Sequence, residues 1–175
     1  MTTPLVLPPG IEDALLTPPR PMPRVEHVEP FLRAAAQVLE QELGMPVQRG
    51  KLALASGSCT TQDITAIVGI TGRLMGLALY GMSNATALAI VSRMMGAPVD
   101  EMDDLALSGI GELGNVITGR ATTLLAEMGL EADIAPPVLL SGAGSRVSTA
   151  GIQRLVVPLD TAIGVVEAQL AIKST

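Results

Sequence analysis

The chain has 175 residues, 48% of them hydrophobic, with a net charge of −6, one Cys, one His and no Trp. That length supports one domain with a full core and is short for two ordinary ones. Eleven scattered Lys and Arg make no basic stripe, and Phe31 and Tyr80 alone cannot form a base-stacking platform, so nucleic acid is excluded as a partner. Cys59 has no disulfide partner, and with His27 as the single histidine there is neither a zinc-ligand cluster nor a constrained Ser-His-Asp arrangement; no metal site is expected. No run of about 18 apolar residues supports a membrane span, and the opening MTTPLVLPPG lacks the charged and apolar regions of a signal peptide. The expected location is cytoplasmic. Nine Met in a chain nearly without aromatics read as filling of an aliphatic core.

In chain order, residues 1–24 hold seven prolines and read as a tail, within which Ile11 to Leu16 has room for one helical turn. Residues 25–175 read as a single domain. An amphipathic helix is predicted from Val28 to Leu43, burying Phe31, Leu32, Ala35, Val38, Leu39 and Leu43 and stopped by Gly44 and Pro46. His27, just ahead of it, reads as an exposed terminal residue. Val47 to Ser56 alternates as one strand and Gly57 to Thr61 as a loop. Strands near 62–71 and 74–82 form a hairpin around Thr71-Gly72-Arg73. Ser83 or Asn84 caps a second helix that ends at Gly96. Asp100 and Asp103 stand where a third helix begins. Beyond Gly129 come a short strand at 131–135, the Pro136-Pro137 break, a Gly/Ser-rich stretch at 141–151 without a phosphate-binding pattern, and strands near 152–159 and 163–173. Short turns between strands and helices arriving in blocks give an α+β fold, an antiparallel sheet with helices packed on one face.

The third helix carries the chemistry. Leu107, Ile110, Leu113 or Gly114, Ile117, Ala121, Leu124 or Leu125, and Met128 recur at steps of three and four as its buried stripe. Ser108, Gly111, Glu112, Asn115, Gly119 and Thr122 are expected opposite. Helix neighbours at that spacing lie roughly 5–6 Å apart, so Glu112 and Asn115 can meet one partner. Each of Gly111, Gly114 and Gly119 weakens a helix by roughly 0.5–1 kcal/mol, for which close approach by another surface is a reason. Glu-x-x-Asn is common, and by spacing alone the pair reads as a solvated helix face.

The run Ser108-x-x-x-Glu112-x-x-Asn115, continued by Val116-Ile117-x-Gly119, resembles the signature helix of the CheC/CheX/FliY family of chemotaxis phosphatases, with the CheX branch the closer match. Val68-Gly69-Ile70-Thr71-Gly72, Gly76-Leu77-Ala78-Leu79-Tyr80 and a proline pair about twenty residues after Asn115 sit as they do in that family, and the resemblance spans about 25–175. Some members repeat the motif on the first helix. Here Val28 to Leu43 contains no Asn, which fits the single-site CheX branch.

The resemblance implies a phosphatase acting on the aspartyl phosphate of a CheY-type receiver domain. Asn115 would orient the attacking water, because a carboxamide both accepts and donates, and Glu112 would pair with a receiver Lys. Mg²⁺ would come with the receiver, leaving this chain no cofactor of its own. Ser108, Gly111 and Gly119 would be partner-binding positions, and a homodimer joined at sheet edges is implied, with apolar strands such as Leu74 to Met82 as candidates. A second reading is a non-catalytic module that docks receivers or flagellar proteins. A third, a small-molecule hydrolase with Glu112 as general base, requires an enclosed pocket that raises its pKa.

Overall fold

The computed structural model describes residues 21–175. The expected tail therefore lies outside the described residues up to position 20, together with the Ile11–Leu16 turn. The Pro21 carbonyl already accepts the Gln153 N–H at 3.2 Å.

Helix α1 runs from Val25 to Leu43, three residues longer at its start than the apolar spacing predicts. The Arg24 carbonyl opens it by accepting the N–H groups of His27 and Val28, at 3.0 and 3.1 Å. Pro30 falls inside the helix, where it lacks the N–H that would reach the Glu26 carbonyl one turn back. Gly44 ends the helix at φ 65°. The longer start corrects the expectation for His27. It lies one turn before Phe31 on the same face and is buried, 3% exposed.

The predicted strand from Val47 to Ser56 is two pieces, β1 (Gln48–Arg49) and β2 (Ala53–Ala55), both paired antiparallel with β9 (Arg154–Thr161). Arg49 faces Leu159 and Ala53 faces Val156, so this side carries one residue more than β9 between those pairs. Pro158 sits in the gap and has no N–H for the ladder, and a bulge forms there. Gly57 to Thr61, expected as loop, contains β3 (Cys59–Thr60), paired with β8 (Arg146–Val147).

The predicted hairpin is β4 (Ile64–Gly72) and β5 (Leu74–Met82), and the last two strands are β9 and β10 (Gly164–Ser174). Two short strands, β6 (Ala132–Ile134) and β7 (Val138–Ser141), follow each other along the outer side of β4 with the proline pair between them. The main sheet runs β1-β9-β10-β5-β4-β6, with each neighbouring pair antiparallel. Strand β5 is thus interior, hydrogen-bonded on both sides, and cannot be the dimer edge that its apolar sequence suggested.

Helices α2 (Asn84–Met95) and α3 (Asp104–Glu127) complete the helical layer. Ser83 caps α2 by accepting the Thr86 N–H, and Asp103 caps α3 by accepting the Ala106 N–H at 2.8 Å. Ala66, Tyr80, Ala168 and Val157 form one rung across four strands, and all four are buried in the core shared with the helices. The architecture is the expected α+β one, an antiparallel sheet with a layer of helices.

Candidate functional site

Two glycines seat α3 on the sheet. A Cβ on Gly114 would lie 3.2 Å from the Ala66 Cβ and 3.3 Å from the Tyr80 ring, and one on Gly111 would lie 2.7 Å from the Leu139 Cδ2. The helix can approach this closely because nothing projects from it at those points. Below Gly114, the Thr118 hydroxyl donates to the Gly114 carbonyl at 2.7 Å. Its hydrogen being used there, the Tyr80 O–H donates to the Thr118 oxygen, at 3.0 Å. Burial pushes the Tyr80 phenol far above its ordinary range. The pair stays neutral and fixes the rotation of α3 about its own axis.

This packing corrects the expectation for Gly111. It is buried beneath Leu139 of β7 and Pro137, so the surface that approaches it is the chain's own. Gly119 is half-buried, 3.7 Å in the same sense from the Ile134 Cδ1, and its carbonyl accepts the hydroxyls of Thr122 and Thr123. Sequence reasoning placed Thr118 in neither group. Its signal was the step of four from Gly114 and its place beside Ile117 in the buried stripe.

Ser108 and Glu112 are exposed and Asn115 is half-buried, one turn apart on the outer side of α3. Among the described residues neither Glu112 nor Asn115 has a hydrogen-bond or salt-bridge partner in this chain. The carboxylate and the half-buried carboxamide are therefore presented together, with their polar groups unspent on this chain. Glu112 is exposed on the outer side of α3, so the small-molecule hydrolase reading lacks the enclosed pocket it requires. Among the described residues no three His, Cys, Asp or Glu side chains converge as metal ligands, and no helix is long and apolar enough to cross a membrane.

An antiparallel sheet under a layer of helices is the architecture this chain shares with CheC-like proteins. The model of the family described as chemotaxis phosphatase CheX matches residues 64–160, a span that includes all of α3. The chain is 33% identical over 126 residues to the CheY-P phosphatase CheX of Thermotoga maritima, covering 71% of this chain and 81% of that one. This chain belongs to the CheX family. Among solved structures, a CheC-like superfamily protein from Shewanella sp. PV-4 superposes with a TM-score of 0.79 at 25% identity, over 87% of this chain and all of that one. The CheX of a CheX-CheY-BeF3-Mg²⁺ complex from Borrelia burgdorferi superposes at 0.73 with 30% identity, over 86% of this chain and all of that one.

Proposed function

We propose that this chain is a phosphatase that hydrolyses the aspartyl phosphate of a CheY-type receiver domain, and that Glu112 and Asn115 are the residues it contributes. The observation that carries the reading is their unpartnered, adjacent placement on the outer side of a helix whose opposite side is locked to the sheet, in a chain of the CheX family. A flat surface of this kind suits a protein substrate that brings its own reacting groups.

Asn115 accepts a hydrogen bond from water through its carbonyl oxygen and donates its N–H to a phosphoryl oxygen, which places the water in line with the bond to be broken. The water oxygen attacks phosphorus, the bond from phosphorus to the aspartate oxygen breaks, and inorganic phosphate and a free carboxylate leave. Glu112, whose carboxylate oxygens accept hydrogen bonds, pairs with the receiver's Lys and sets the docking register. Mg²⁺ belongs to the receiver's own acidic site. Ser108 and Gly119 border the contact, whereas Gly111 contributes only by letting the helix sit low on β7. Phosphate release from a phosphorylated receiver, with and without this protein, tests the reading. Acceleration supports it, and unchanged release with retained binding would make the chain a docking module.

A cytoplasmic homodimer completes the proposal. With β5 interior, the edges open to pairing are β1/β2, where Leu52 and Leu54 are exposed, and β6/β7, where Val138 is exposed. Light scattering at micromolar concentration should give twice the chain mass, and a monomer mass rejects the dimer.

A further inference from the structure

We infer that Leu105 and Val116 are the apolar anchors by which this surface holds its receiver, an inference that rests on the receiver-phosphatase reading. Leu105 is 62% exposed and Val116 41%, on the side of α3 away from its apolar stripe. Their positions are not scattered. At 3.6 residues per turn, Leu105, Glu112 and Val116 fall within about 20° of one line along α3, Leu105 about 10 Å before Glu112 and Val116 one turn after it. Glu112 is thus bracketed by apolar side chains on the line where the receiver must approach, with Asn115 on its flank.

Leu105 also forms one wall of a groove between the end of α2 and the start of α3, where Met95 and Val99 lie beside Asp100, Glu101 and Asp103, so the apolar surface ends at Leu105 and gives way to carboxylates on the side away from Asn115. The occupant is the receiver itself, since a body bound at Glu112 and Asn115 covers the same helix line. The charge balance also requires such contacts. A chain of net charge −6 gains nothing from long-range attraction to an acidic receiver site, so the docking free energy must come from contacts that form at short range. Apolar anchors beside a polar centre supply it.

The test is the double variant Leu105→Gln, Val116→Gln in the full chain, Gln being a good helix former at exposed positions. Phosphate release is followed as a function of phosphorylated receiver concentration, beside the parent, Asn115→Ala and the conservative Leu105→Met, Val116→Ile. The glutamine variant is expected to raise KM about tenfold or more with kcat within about twofold of the parent, while Leu105→Met, Val116→Ile restores the parent KM. An unchanged KM for the glutamine variant, with Asn115→Ala still inactive, overturns the anchors and leaves the phosphatase reading standing. A parent that does not accelerate release overturns that reading and the anchors with it. Equal thermal midpoints of parent and variant keep a KM change from being a folding effect, and a lowered midpoint beside a raised KM would assign both residues to the fold.

Discussion

Asn115 and Glu112 differ in what their atoms can do, and the difference separates their expected mutant phenotypes. A carboxamide has an acceptor and two donors, a carboxylate only acceptors. In the proposed reaction the Asn115 contacts matter most as water and phosphorus come together, whereas the Glu112 pair with a receiver Lys forms already in the bound complex. Removing Glu112 should therefore act on ground-state and transition-state binding alike. We expect Glu112→Ala to raise KM about tenfold, the scale of one charge-assisted hydrogen bond at an interface. A KM equal to the parent's, measured by phosphate release at varied receiver concentration, would remove Glu112 from the docking contact. Ser108 is exposed beside them at the border of the contact, and His27 is buried at the start of α1.

Helix α3 works as an element because its inner side leaves it one position on the sheet. Gly114 against Ala66 and Tyr80 sets the depth, and the Tyr80–Thr118 hydrogen bond sets the rotation. Gly114→Ala tests this. Alanine would gain about 1 kcal/mol of helix propensity, yet its Cβ would press at 3.2 Å on the Ala66 Cβ, which belongs to an interior strand and has no rotamer to change. Overpacking of a tight core costs about 1–3 kcal/mol. The net expectation is a fall of about 2–4 °C in thermal midpoint for a chain of this size, with phosphatase activity reduced because Glu112 and Asn115 are lifted with the helix. A midpoint equal to or above the parent's would show that the seat is looser than its distances indicate.

The same element shows what the sequence could and could not disclose. The buried positions Ile110, Leu113, Gly114, Ile117, Ala121, Leu124 and Leu125 were legible from their spacing at steps of three and four, whereas Met128, expected in the same stripe, is exposed because the helix ends at Glu127. Gly111 was not legible in this way. It lies about a quarter turn from the middle of that stripe, and a residue without a side chain carries no sign of which neighbour it serves. Glu112 and Asn115 could be singled out because they form a family motif. Their exposure followed from the stripe, but their freedom from partners required coordinates.

At the scale of the whole molecule, the long periodic elements were readable and, apart from β6, the short ones were not. The hairpin β4/β5, the two C-terminal strands and the three helices each contain enough turns or alternations to state their period. Strands of two to four residues, such as β3, β7 and β8, contain too few, and they exist because β4 has an outer side to cover and the Gly/Ser-rich segment folds back to Cys59. Pro158 divided one predicted strand in two through an effect on its neighbour, a long-range cause invisible in the neighbour's own sequence. The assembled sheet buries one face beneath the helices and presents α3 outward, which gives a protein substrate a rigid and accessible surface.

The central claim is that Asn115 activates water on a receiver's aspartyl phosphate, and single-turnover phosphate release by the parent and by Asn115→Ala tests it most directly. The account expects the parent to accelerate release from a phosphorylated CheY-type receiver and the variant to lose activity by a factor on the order of 10²–10³, the scale of removing one preorganised polar group from an active site, while its thermal midpoint and receiver binding stay those of the parent. Release by Asn115→Ala at the parent rate would contradict the assignment of Asn115.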